Sequence, residues 1–405
     1  MASKSPRYVR KPTYPHNALI RVSLSAGLCA LAACGTVAPA PPSPTSAPPQ
    51  AGRQVRPGAA ARAAVHRARR LLGPVSASFV SASTGWLLGI RPCRKRTCST
   101  LQMRKTTDGG RRWLAVPAPP APAWSTPRSP AGSVSQVAFA DAADGWAFGP
   151  GLWATHDGGA SWHRVGTHGL AVTSLAASDG RAVATFSRCG RQSRCDRFAV
   201  YAAAITADNW RPVRGAAGRG FATVITSGKT GYLSVGPRGA FGRPALLAGP
   251  ASGAARWRRR PVPCRQVWGY DGLALGASRR GTLVLGCASQ PGAGQQPKRA
   301  YLSADGGRTW RRLAAPPSSG YLGQVTVTPA GTIMISGTRS DVYISRDGGR
   351  SWHTSRSLLT ADIGDGLTAT MITNRAGFVL QDSLYYGHMW LTHDDGRSWK
   401  PVTIG

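Results

Sequence analysis

Glutamate is absent from this sequence: all 16 acidic residues among the 405 are aspartate. Any chemistry resting on a glutamate base, nucleophile or ligand is therefore excluded. Methionine is sparse at 5. The apolar run VSLSAGLCALAAC falls short of the ~20 residues a membrane-spanning helix needs. Acid is so scarce that 51 Lys and Arg leave a net charge of +35. Gly (50) and Pro (31) are plentiful and mark many turns, while 42% hydrophobic residues suffice for a core. The length allows one large domain or two or three small ones. A bias to Ala, Gly, Pro and Arg indicates GC-rich coding and accounts for part of the arginine.

The first 33 residues read as a targeting segment. Lys4, Arg7, Arg10, Lys11 and Arg21 precede the short apolar run, which ends in LAACG. This resembles a bacterial lipobox, with cleavage before Cys34 and lipid on its thiol. An ordinary signal-peptide cut near Ala38 is the other reading. Loss of residues 1–33 leaves 46 basic against 16 acidic residues, a net +30, so the charge belongs to the mature chain. Residues 34–73 combine a Pro-rich tether with the basic stretch AAARAAVHRARRLLG, which could lie on anionic headgroups or stand solvated.

From about residue 74 the chain repeats. YLSADGGRTW, ending at Trp310, returns at Trp113, Trp162, Trp352 and Trp399, and weaker copies end at Trp210 and Trp257. The seven tryptophans lie 49, 48, 47, 53, 42 and 47 residues apart, the period of a propeller blade. Ahead of each tryptophan stands a glycine opening an apolar run: Gly85, Gly145, Gly180, Gly231, Gly281, Gly331 and Gly377. Each is expected in the turn between a blade's first two strands, where glycine accepts positive φ. The expected fold is all-β: one seven-bladed propeller of four-stranded antiparallel blades over 74–405, preceded by the lipoprotein signal and tether.

Ser303, Asp305, Gly307, Thr309 and Trp310 match S/T-x-D-x-G-x-[ST]-W at every position. This motif is similar to the Asp-box, or BNR repeat. The longer run FADAADGWAFGPGLWATHDGGASW resembles the photosystem II stability/assembly-factor-like propellers of bacteria. That resemblance implies a scaffold or assembly role and specifies fold more strongly than function. Asp108, Asp157, Asp305, Asp347 and Asp394 are expected to be structural, accepting turn N–H groups between third and fourth strands, with each tryptophan packed between blades.

Catalytic sites of related folds do not map onto the chain. Asp-box sialidases need a Glu and an Arg-Ile-Pro signature, and neither is present. Asp-box xyloglucanases use paired Asp residues across two propellers, and the remaining aspartates here (Asp196, Asp271, Asp341, Asp365 and Asp382 among them) lie mostly in turns. SGKTG (227–231) lacks the upstream glycine of a phosphate-binding loop, and Ser234 lacks the glycine of a nucleophile elbow. His156, His163, His353 and His393 occupy repeated positions around the boxes. No histidine pair has zinc-site spacing with cysteines, so no metal and no cofactor is expected.

Beyond Cys29 and Cys34, six cysteines suggest three local disulfides: Cys93–Cys98, Cys189–Cys195 and Cys264–Cys287. All three are expected at one end of the propeller: the first two close loops between second and third strands, and Cys264, ahead of the fifth blade's first strand, reaches Cys287 at the end of its second. Those loops carry Arg94, Lys95, Arg96, Arg191, Arg194, Arg238, Arg243, Lys298, Arg299 and Arg339. They form an expected cationic rim for an anionic envelope component or an acidic protein surface. RWRRR at 256–260 is read as compositional background. The expected protein is a non-catalytic, extracytoplasmic, lipid-anchored monomer, with nucleic acid not expected as partner. The alternative is a carbohydrate-active propeller, with Trp153, Trp268, Tyr385 and Tyr386 as a sugar platform. Trp124 lies in a Pro-rich insertion of unassigned role.

Overall fold

A computed structural model describes residues 72–405 except 93–98, 124–131, 190–194, 237–242, 265–269, 339–340, 356–366, 382–387, 403 and 405. The predicted signal, Cys34, the tether and Trp124 lie outside the described residues.

The chain forms seven four-stranded antiparallel sheets, each from four consecutive strands. Blade one is β1 (Gly73–Phe79), β2 (Gly85–Pro92), β3 (Ser99–Thr106) and β4 (Leu114–Val116). Blade two is β5 (Gln136–Phe139), β6 (Gly145–Phe148), β7 (Leu152–Thr155) and β8 (His163–Arg164). Blade three is β9 (Ala171–Ser178), β10 (Arg181–Cys189), β11 (Cys195–Ala204) and β12 (Arg211–Arg219). Blade four is β13 (Ala222–Ser227), β14 (Thr230–Val235), β15 (Ala245–Pro250) and β16 (Arg258–Arg260). Blade five is β17 (Tyr270–Ala277), β18 (Leu283–Ser289), β19 (Lys298–Ser303) and β20 (Arg311–Arg312). Blade six is β21 (Tyr321–Val327), β22 (Ile333–Thr338), β23 (Val342–Ser345) and β24 (His353–Ser355). Blade seven is β25 (Leu367–Met371), β26 (Gly377–Gln381), β27 (His388–Thr392) and β28 (Lys400–Pro401).

Second strands are apolar on both faces because each sheet is sandwiched between neighbouring sheets. Every residue of β6 and β26 is buried. Trp86 of blade one stacks on Phe139 of blade two with ring centroids 3.7 Å apart. The ends of the ring meet without sharing a strand, since β1 to β4 form one sheet and β25 to β28 another. The seam is apolar instead, built from Leu72, Leu87, Phe378, Leu380, Met389, Leu391 and Ile404.

The turn glycines divide into two kinds. Gly180, Gly281 and Gly331 have φ of 72°, 87° and 93°, as expected for the turn. Gly85, Gly145, Gly231 and Gly377 instead begin or lie within second strands, and the positive-φ expectation fails there. Glycine is needed at these four because an aromatic or thioether side chain lies across the backbone. An added Cβ would stand 2.4 Å from the rings of Phe79, Phe139 and Trp257, respectively, and 2.6 Å from Met371 Sδ.

The Asp-boxes fall between third and fourth strands. In blade five Ser303 Oγ donates to Asp305 Oδ1 (2.7 Å), Gly307 N–H donates to Ser303 Oγ (2.8 Å), and Thr309 donates to Asp305 through N–H (2.9 Å) and Oγ1 (2.6 Å). The box tryptophans then clip onto the preceding blade: Trp162, Trp310 and Trp352 Nε1–H donate to the carbonyls of Pro117, Pro261 and Ala314.

Hydroxyl bonds from Ser161, Thr309 and Ser351 hold the carboxyls of Asp157, Asp305 and Asp347 well below the ordinary carboxylate range. At Asp394 burial opposes the shift, but the Ser398 bonds outweigh it. Blade one has Arg112 in the hydroxyl position, and the Arg112 backbone N–H is what lowers Asp108. Carboxylates kept ionised by turn donors have no proton to give, which fits a structural role.

Candidate anion-docking groove

Outer strands elsewhere run two or three residues, but β12 runs nine. Such an edge would ordinarily invite pairing by another chain. Between its pairs Ala199↔Ala217 and Tyr201↔Pro212 the strand bulges outward. The bulge docks blade four: Trp257 N–H donates to Arg214 O at 2.9 Å. Gly215 sits at the contact with φ of 77°, and a Cβ there would lie 2.9 Å from Trp257 O.

Beyond this contact a groove of about 940 Å³ opens between blades three and four. Phe198, Val235, Leu247 and Trp257 supply its apolar lining. Arg219, Arg243, Arg256, Arg258, Arg259 and Arg260 line it as well, and no aspartate does. Five of the six arginines are exposed, and Arg260 is half-buried. Among the described residues none of them is ion-paired with a carboxylate. Arg260 Nε is buried without a hydrogen-bond partner. Phe221, 56% exposed, stands beside the lining residue Gly236, whose N–H donates to Phe221 O. Six arginines and no aspartate among the described lining residues make the groove strongly cationic, which attracts anions, and a guanidinium facing it can offer a carboxylate bidentate bonds.

The predicted rim fares differently. Arg94, Lys95, Arg96, Arg191, Arg194, Arg238 and Arg339 lie outside the described residues, as do Cys93 and Cys98. The disulfides Cys189–Cys195 and Cys264–Cys287 are formed. Arg243 is exposed and lines the groove. Arg299 is half-buried opposite Cys287.

Lys298, expected on the cationic rim, is instead 4% exposed and presents no charge to a partner. Its Nζ donates to the carbonyls of Gln296, Pro317, Ser318, Ser319 and Gly320 at 2.8–3.1 Å. Four of these carbonyls come from the connection to blade six, at residues 317–320. Burial pushes the Lys298 ammonium down to about 8, still charged at neutral pH.

Of the expected sugar platform, Trp268, Tyr385 and Tyr386 lie outside the described residues. Trp153 is packed in the core of blades one and two, with Nε1–H toward Gly132 O at 3.4 Å. Arg219 has no mark in the sequence, and RWRRR reads there as compositional background. Four arginines within five residues around a buried tryptophan were the available signal.

A family model for the BNR/Asp-box repeat matches residues 343–354. No curated protein matches the chain in sequence. Among solved structures, YCF48 bound to D1 peptide is similar at 16% identity and a TM-score of 0.52, over 80% of this chain and 93% of that one. YCF48 from Cyanidioschyzon merolae gives 16% identity and 0.50 over 81% and 97%. The β-propeller domain of the Trilobed protease from Pyrococcus furiosus gives 8% and 0.50 over 83% and 99%. At such identities the likeness extends to the fold, which assembly factors and hydrolases share. The chain is an Asp-box seven-bladed β-propeller with the YCF48 propellers among its structural neighbours.

Proposed function

We propose that this propeller is a non-catalytic docking protein that captures an acidic polypeptide segment in the groove between blades three and four. The observation carrying this reading is six arginines, none ion-paired among the described residues, around an apolar lining. A similar fold solved with a bound peptide is compatible with it. Carboxylates on an extended segment would take bidentate bonds from arginines of the groove, Arg259 among them, while its apolar side chains would pack on half-buried Leu247. Lipid on Cys34 would hold the propeller at the outer face of the cell membrane, with the Pro-rich tether as spacer.

The test is fluorescence anisotropy of a labelled ten-residue aspartate-rich peptide, with an asparagine-rich peptide as control and phosphatidylglycerol vesicles as a separate arm. Binding that weakens with salt and drops at least tenfold in Arg219→Ser/Arg258→Ser/Arg259→Ser supports the groove. Equal binding by parent and variant would refute it, as would binding to the vesicles alone.

A further inference from the structure

The hairpin joining β7 to β8 carries two histidines, and blade three sends a carboxylate to meet them. His156 Nε2 lies 3.4 Å, and His163 Nε2 2.5 Å, from Asp208 Oδ2. All three donor atoms fall within 4.8 Å of one another. We propose that His156, His163 and Asp208 bind one divalent transition-metal ion, zinc by preference, across the seam of blades two and three.

Three further observations point the same way. His156 Nδ1 is hydrogen-bonded to Asp144 at 2.5 Å, and Asp144 is only 6% exposed. A carboxylate on Nδ1 fixes the tautomer that leaves the Nε2 lone pair free, the second-shell arrangement of metal-binding histidines. Asp208 Oδ1 is buried and has no hydrogen-bond partner, so the carboxylate is under-satisfied as it stands. The pairing is also peculiar to blade two. Positions matching His156 hold Thr107, Ala304, Arg346 and His393 in the other intact boxes. Positions matching His163 hold Leu114, Arg311, His353 and Lys400. Only blade two has both histidines, and only blade three, whose box has lost its usual Asp, places an aspartate two residues before its tryptophan.

The geometry approaches that of a zinc site, its three ligand atoms lying within 4.8 Å of one another. Bonds of ~2.0–2.1 Å in a tetrahedron place ligand atoms about 3.3–3.4 Å apart. His156 and Asp208 already stand at 3.4 Å. His163 must withdraw by somewhat under ~1 Å, and its side chain, 52% exposed on a two-residue outer strand, is free to do so. Two imidazoles and one carboxylate suit zinc, copper, nickel or cobalt rather than calcium or magnesium. The fourth position would face solvent and take water or a partner's side chain.

The purified full-length chain, stripped with chelator, would be titrated with Zn²⁺ against a chromophoric chelator and with Co²⁺ by visible spectroscopy. One tight equivalent is expected, with Co²⁺ ligand-field bands of a tetrahedral site. His163→Ala and Asp208→Asn should each weaken binding at least tenfold, Asp144→Asn about tenfold, and His353→Ala not at all. Asp208→Asn is isosteric, so it decides the matter if His163→Ala fails to fold. Absence of a stoichiometric site, or equal affinity in parent and Asp208→Asn, would overturn the proposal.

Discussion

Replacing Lys298 by methionine keeps an unbranched side chain, one heavy atom shorter, and removes the ammonium with its donors. Five carbonyls then lose the ammonium that collects them. Two of these have a second donor: Ser318 O from Gln296 N–H and Ser319 O from Tyr343 Oη–H. Pro317 O is only partly buried and can turn to water. Gln296 O and Gly320 O are buried, and each stranded acceptor costs ~1–3 kcal/mol. The sum is about 2–6 kcal/mol, reduced slightly by the relief of desolvating a charge. Urea denaturation of parent and Lys298→Met followed by tryptophan fluorescence would measure it, with Arg299→Ser as a neighbouring control expected within ~0.5 kcal/mol. A loss for Lys298→Met below ~1 kcal/mol would refute the claim that this lysine organises the passage from blade five to blade six.

Gly145→Ala should destabilise by ~1–3 kcal/mol, because its Cβ would meet the Phe139 ring at 2.4 Å; a thermal midpoint equal to the parent's would contradict the packing. Phe378→Ala, at the closure seam and 2% exposed, should cost about 3–5 kcal/mol in the same assay, since packing rather than a shared strand joins the ends of the ring. The Asp-box carboxyls are depressed in the folded chain, so their contribution is complete above the ordinary value of 3.8 and is lost as pH falls below it. Urea midpoints at pH 5, 4 and 3 should therefore drop steeply for the parent and less steeply for Asp347→Asn. Parallel curves would show that the Asp347 carboxylate is not so held.

The blade count was legible because each landmark is local. A box closes within one hairpin, and the tryptophan and glycine each mark the same repeat. The glycines were only half understood: spacing shows that a glycine recurs, but the ring lying over Gly85 or Gly145 comes from the neighbouring strand of its own sheet. Lys298 and Arg299 look alike in sequence, yet adjacent strand residues point to opposite faces, so one was bound to turn inward. The groove was illegible for a different reason. Arg219 and Arg258 are brought together across two blades by the length and bulge of β12, which no local pattern announces. Asp208 likewise meets His163 from 45 residues away.

The central claim is that the groove between blades three and four is where a partner docks. Backbone hydrogen exchange of the full-length chain with and without the aspartate-rich peptide tests it most directly. Protection concentrated in Gly215–Arg219 and Arg256–Arg260, and abolished in Arg219→Ser/Arg258→Ser/Arg259→Ser, is the predicted result. Protection confined to the loops between second and third strands, or no protection at saturating peptide, would contradict the account.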